Sequence, residues 1–211
     1  MIMKIALCFY GQPRNAMEKY HILNKNIIKD NDVDVFYHTW YDTEDLSLHK
    51  MTPGHENRNL QFGIDNFLLE YYKPKKFQIE KQIKFHHRNY EASEENIQAC
   101  WPWSRIYNKF EFISNRSIST YSMWYSIFNS LILKDLYSHN LGFEYDCVIL
   151  SRFDVAPSSK IIFDDYDLTK IITRNYDYPR EEVSDWFMFS NDKNMNIVGG
   201  TYLSLKHHYE K

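Results

Sequence analysis

Tyr145-Asp146-Cys147-Val148-Ile149-Leu150-Ser151-Arg152-Phe153-Asp154-Val155 is the stretch whose reading decides the fold. Its apolar run, Cys147 to Leu150, has the pattern of a central strand buried on both faces. Arg152 and Asp154 follow, two opposite charges on alternate residues, which the period of a strand puts on one face. Charges at the carboxyl end of a buried strand lie where open α/β sheets hold their ligands. A salt-bridged strand end is the plainer reading of the same pair.

Working outward, the chain alternates strands and helices. Ile2 to Tyr10 reads as the first strand, left through the turn Gly11-Gln12-Pro13-Arg14. Asn15 is placed to cap the next helix, with Glu18 in a capping-box position and Met17, Tyr20, Leu23 and Ile27 at helical spacing. Val33 to His38 is a second strand, so the opening strand-helix-strand implies parallel pairing through a right-handed crossover. Asp42 to Arg58 reads as a loop. Leu60, Ile64, Phe67, Leu68 and Tyr71 mark a helix ended before Pro74, and Lys76 to Glu80 a short strand. From Phe85 to Ser104, around Trp101-Pro102-Trp103, no pattern stands out. A long helix is expected from Ser119 to Asn140 through Met123, Ile127, Leu131 and Leu136, closed by Gly142. Lys160 to Phe163 follows the decisive strand, with further strands expected at Leu168 to Arg174 and Val183 to Ser190, and a last helix capped by Asp192. The expectation is one α/β domain over residues 1–211, with a single mixed, mostly parallel sheet and helices on both faces.

Composition narrows the function. Lys and Arg number 25 against 28 Asp and Glu, a net charge of -3, which gives no electrostatic case for nucleic acid or an anionic membrane. No run approaches the roughly 20 apolar residues of a membrane span. Cys8, Cys100 and Cys147 have no metal-site or redox spacing, and together these features point to a reduced, cytoplasmic setting. The adjacent pairs His86-His87 and His207-His208 do not share a face, which argues against metal binding by either. Dinucleotide, Walker, nucleophile-elbow and zinc-protease motifs are missing.

Four pieces in order, Lys4 to Arg14, Asp34-Val35-Phe36-Tyr37-His38-Thr39-Trp40, Ser151-Arg152-Phe153-Asp154 and Ser184-Asp185-Trp186-Phe187-Met188-Phe189, resemble a group of glycosyltransferases of the GT-A type found in bacteria and large viruses. The resemblance implies a nucleotide-diphospho-sugar transferase fold, a nucleotide-sugar donor and a glycan or other hydroxyl acceptor. It also implies an Asp-x-Asp motif that binds Mn²⁺ or Mg²⁺ after a central strand. Here that position reads Arg152-Phe153-Asp154, so a cation replaces one carboxylate and Asp154 is left as the metal ligand. Asp32-Val33-Asp34 has the formal spacing but enters a strand instead of leaving one.

Such chemistry stabilises charge on a departing diphosphate, by a metal, by Arg and Lys, or by backbone donors. Gly11, Gln12 and Arg14 leave the first strand toward the ligand edge, where glycine permits close approach and arginine forks onto phosphate. Asp34 and His38 share a face by the strand period and join the donor-site candidates with Arg152 and Asp154. Asp185 is the candidate base for the acceptor hydroxyl, and Trp186 is either a sugar platform or core. Each has a structural alternative: a turn, a satisfied core histidine, an ion pair. Two other functions fit the residues: a non-catalytic nucleotide- or glycan-binding domain, and a sugar nucleotidyltransferase. The second would need a better phosphate loop than Gly11 to Arg14.

Overall fold

In the computed structural model, the structure describes residues 3–42, 44, 62–83, 85, 109–173 and 184–209, with side chains for all of these except 109–119 and 206–209. The loop expected at 42–58 (apart from Asp42 and Glu44), Leu60, His86-His87, Cys100, Trp101-Pro102-Trp103, Arg174, Val183 and the side chains of His207-His208 lie outside the described residues.

The elements follow in chain order as β1 (Lys4–Gly11), α1 (Ala16–Leu23), β2 (Asp32–Trp40), α2 (Ile64–Phe67), β3 (Lys76–Glu80), α3 (Lys109–Leu141), β4 (Cys147–Arg152), β5 (Ile172–Thr173), β6 (Phe187–Ser190) and α4 (Asp192–Tyr209). α1 and α2 each run on into one π-helical turn, Asn24–Ile28 and Leu68–Tyr72. The strands form one mixed six-stranded sheet in the order β3-β2-β1-β4-β6-β5. β3, β2, β1 and β4 are parallel, while β6 runs antiparallel to both β4 and β5.

Burial on both faces explains the unbroken apolar runs. In β1, Ile5, Leu7 and Phe9 pack with α1, α2 and the π-turns, through Leu23, Ile27, Ile64, Leu68 and Tyr72. Ala6, Cys8 and Tyr10 point the other way, toward Ile127 and Leu131 of α3 and Met195 of α4. None of these six β1 residues is more than 1% exposed. Each fully buried large side chain contributes roughly 1.5–3 kcal/mol. Phe153 continues the first face beyond β4, stacked on Phe9 at 4.9 Å between ring centres.

The long helix lies mainly on β1, β2 and α4. Its buried stripe differs from the one expected. Leu136 is 51% exposed, whereas Ser122, Ser126, Ser130, Lys134 and Ser138, four apart, are all buried. Ser130 and Ser138 turn their hydroxyls back onto the carbonyls of Ile127 and Asp135, which spares the sheet any unpaired donor. Lys134 is held by Asp135 at 2.7 Å, by Asp192 and by Asn196 at 3.2 Å.

Three local expectations are corrected. Asn15 holds the N-cap position of α1 as expected, but at φ 52 and with no capping bond from its side chain. The last helix is capped by Asn191, whose Oδ1 accepts the Asn194 N–H at 2.9 Å, because Asp192 is committed to Lys134. The strands expected at Leu168 to Arg174 and Val183 to Ser190 shorten, among the described residues, to Ile172–Thr173 and Phe187–Ser190, and Lys160 to Phe163 leads into a 3-10 turn at Phe163–Asp165. No described helix is long and apolar enough to cross a membrane.

Candidate functional site

The sheet fixes where a site belongs. From β1 the chain steps outward to β2 and β3, then returns across α3 to β4 on the other side of β1. The crevice outside the carboxyl ends of β1 and β4 is therefore the topological switch point, where open α/β sheets take ligands.

At the exit of β1, Gly11 has φ 83, a conformation that side chains disfavour. A Cβ built there meets nothing within 4 Å, so glycine is demanded by the backbone angle and not by crowding. Its carbonyl accepts from Thr39 Oγ1 at 2.7 Å and its N–H donates to Ser126 Oγ at 2.7 Å. The turn tightens through Arg14 N–H to the Gln12 carbonyl at 2.8 Å, and the Arg14 guanidinium donates to Gln12 Oε1.

At the exit of β4 the strand ends at Arg152, and a turn through Phe153 and Asp154, with Val155 N–H donating to the Arg152 carbonyl at 3.3 Å, brings the two charges together where an extended chain was expected to do so. The guanidinium forks onto the carboxylate, Nε to Oδ1 at 2.9 Å and a terminal nitrogen to Oδ2 at 2.5 Å. Burial disfavours the guanidinium charge, but Asp154 outweighs it and the Arg152 pKa rises. The cation also lies 5.2 Å from the centre of the Trp186 ring, which is 38% exposed. β6 is tied in through Arg152 N–H to the Trp186 carbonyl at 3.0 Å. The buried Tyr10 hydroxyl donates to the backbone carbonyl of Asp185. Burial raises the pKa of the Asp185 carboxyl, offset in part by a backbone hydrogen bond and by Arg152. A carboxylate held partly out of water is a better proton acceptor than an ordinary aspartate.

Gly11, Gln12 and Arg14 thus leave β1 at the edge where Arg152, Asp154 and Asp185 leave or enter their strands. Asp34 is elsewhere. It pairs with Ala6 near the start of β1, where Lys75 at 3.4 Å, Lys4 at 3.5 Å and Tyr145 Oη at 2.8 Å bind its carboxylate. That is the amino end of the parallel strands, so Asp34 is withdrawn from the donor site. His38 is at the right edge but has no exposed surface, and both ring nitrogens are engaged, by Ser126 and by Glu80. The long helix expected from Ser119 begins earlier, at Lys109, so Tyr121 and Ser122 lie well inside it and present no helix amino terminus to the site.

A metal was expected on Asp154. Among the described residues no group of three His, Cys, Asp or Glu side chains is placed to hold an ion. Both oxygens of Asp154 are taken by Arg152. The arrangement described does not fit a metal bound by the protein alone.

Sequence reasoning passed over Tyr10, Ser126 and Glu80. The first was absorbed into the β1 apolar run, and the third lies on a strand read only for its alternation. Ser126 had a visible signal, the serines at 122, 126, 130 and 138. Compared with protein-family models and with curated proteins, the chain matches none.

Proposed function

We propose that the chain is a GT-A-like glycosyltransferase that moves a sugar from a nucleotide diphosphate donor to a hydroxyl acceptor. The observation that carries this reading is the convergence, at the β1/β4 switch point, of a tight Gly11 turn, an arginine–carboxylate pair and a carboxyl group of raised basicity. In this reading the donor lies across the exits of β1 and β4. Arg14 and Arg152 offset the charge that develops on the leaving diphosphate. Asp154 orients the Arg152 fork, and Asp185 accepts the proton of the acceptor hydroxyl. Trp186 offers a flat face beside them for a sugar ring. Mn²⁺ or Mg²⁺ enters this scheme only where Asp154 leaves Arg152 for the ion, and no step here depends on it.

The closed Arg152–Asp154 pair favours one second reading, a domain that binds nucleotide or glycan without turnover. Incubation with a panel of nucleotide sugars, with and without Mn²⁺ or Mg²⁺, separates the two. Release of nucleoside diphosphate is the expected result. Binding by calorimetry without release supports the second reading, and pyrophosphate exchange points to a sugar nucleotidyltransferase. A protein that neither binds nor turns over any donor refutes the proposal.

A further inference from the structure

The Gly11 N–H is a backbone donor at the lip of the site, one residue beyond the last β1–β4 pair, Tyr10 with Arg152. An α3 side chain takes it: Ser126 Oγ, at 2.7 Å. Ser126 has no exposed surface, and its oxygen lies 2.8 Å from His38 Nδ1 and 2.9 Å from the His38 carbonyl. On the far side of the ring, His38 Nε2 is 2.8 Å from Glu80 Oε2. The protons can be assigned. Burial lowers the His38 pKa, against the opposing pull of Glu80, and favours the neutral ring. A carboxylate facing Nε2 accepts, which places the single ring proton on Nε2. Nδ1 and the His38 carbonyl are then both acceptors that share the one Ser126 hydroxyl proton, and a Ser126 lone pair is left for the Gly11 N–H. Glu80 is itself steadied by Gln78 Nε2 at 2.7 Å.

We propose that Glu80, His38 and Ser126 form a positioning relay that fixes the Gly11 amide and thereby sets the Gly11–Arg14 turn for the donor nucleotide. The relay spans β3, β2 and α3, so three rigid elements bear on one backbone N–H at the last residue of β1, past the end of its pairing with β4. The role in donor binding rests on the reading of that turn given above. The order carboxylate, imidazole, hydroxyl is also that of a nucleophilic triad. A nucleophile must reach its substrate, however, and the Ser126 oxygen is enclosed and already holds the Gly11 amide. It is a holder of backbone, not an attacking group.

The test begins on the unaltered protein without ligand. Nitrogen NMR of His38 is expected to show the Nε2–H tautomer, and a ring protonated only at Nδ1 overturns the relay. Gly11 amide exchange is expected to be protected, and to quicken at least about tenfold in Ser126→Ala; an amide that exchanges freely in the wild type, or is unmoved by the substitution, overturns it as well. Labelling of Ser126 by a fluorophosphonate would overturn the holder role in favour of a nucleophile. Calorimetry with UDP, GDP, ADP and CDP then tests the link to the donor. For whichever nucleotide binds the wild type, Ser126→Ala is expected to lose roughly three- to tenfold in affinity, the range of one hydrogen bond. Ser126→Thr, which keeps the hydroxyl, is expected to recover it. Full affinity in Ser126→Ala with quickened Gly11 exchange overturns the positioning role alone. A wild type that binds none of the four nucleotides overturns the reading of the site, and the donor role with it, while the tautomer and exchange results still decide the relay.

Discussion

The two ends of the sheet treat buried charge in opposite ways. At the amino end, Asp34 is surrounded by Lys4, Lys75 and the Tyr145 hydroxyl, so one carboxylate faces two cations and a donor. At the carboxyl end, one guanidinium, Arg152, is forked onto Asp154, and Asp185 stands nearby as a second carboxylate that burial makes more basic. The first arrangement stitches β1 and β2 to the segments that lead into β3 and β4. The second carries a surplus carboxylate, an aromatic face and a turn in a left-handed conformation, all at the switch point. Satisfied charge holds a fold together, and incompletely satisfied charge at a strand exit is what chemistry can use.

The comparison breaks most readily at its two aspartates. Asp185→Asn is expected to lower turnover about 10²- to 10⁴-fold, the usual worth of a general base, with little change in melting temperature. Asp34→Asn is expected to do the reverse: full turnover, but a loss of about 1–3 kcal/mol from a buried hydrogen-bonded carboxylate, seen as a fall of several degrees in Tm. Diphosphate release and thermal melting on both variants check the pair. If Asp34→Asn loses activity while keeping its Tm, the division between the two ends is wrong.

The error over Asp34 shows how far the sequence can be read. Period 2 correctly put Asp34 and His38 on one face, but four residues along a strand are about 13 Å apart. A face is not an edge, and only the register with β1 shows that Asp34 sits opposite Ala6 and His38 opposite Tyr10. The strands themselves were legible because strands buried on both faces must be apolar at every position, as in Cys147 to Leu150. The face of α3 was not. Apolar periodicity picks out Ile127 and Leu131 but cannot see a stripe of serines whose small, locally bonded side chains suit close packing on a sheet. The ion pair of Arg152 with Asp154 was among the readings of that stretch, but a turn and not the strand period brings it about. The relay to Gly11 was not legible, since Glu80, His38 and Ser126 are brought together by three separate elements.

A smaller effect sharpens the carboxyl end. Asp154→Asn removes the charge that orients the Arg152 fork and is expected to cost about 1.5–3 kcal/mol, the scale of a hydrogen bond to a charged group. Tm should fall, and donor affinity should fall to the same degree with and without Mn²⁺. A loss of affinity confined to the samples with Mn²⁺ would show instead that Asp154 leaves Arg152 to bind the ion.

The smallest expected effect is one of pH, and its sign separates His38 from Asp185. An unfolded histidine titrates near 6.5, while burial lowers the folded value for His38 despite Glu80. Between the two values the unfolded chain binds more protons, so stability present above about pH 6.5 is lost as pH falls toward the folded pKa. Asp185 works in the opposite sense. Its folded pKa is raised by burial, so its contribution is largest in acid and declines as pH rises through the folded value. The groups recorded against the His38 ring are Glu80 from β3, Tyr125 and Ser126 from α3 and Trp40 from its own strand, and among these Glu80 alone bears a carboxyl group. Melting curves from pH 7.5 to 5.5 should therefore show a falling Tm. In His38→Gln, which keeps hydrogen-bonding groups but cannot take up a proton in this range, the slope should flatten. A variant that keeps the wild-type slope would assign the titration to another group and leave His38 charged or exposed, contrary to the buried neutral ring on which the hold over Gly11 depends.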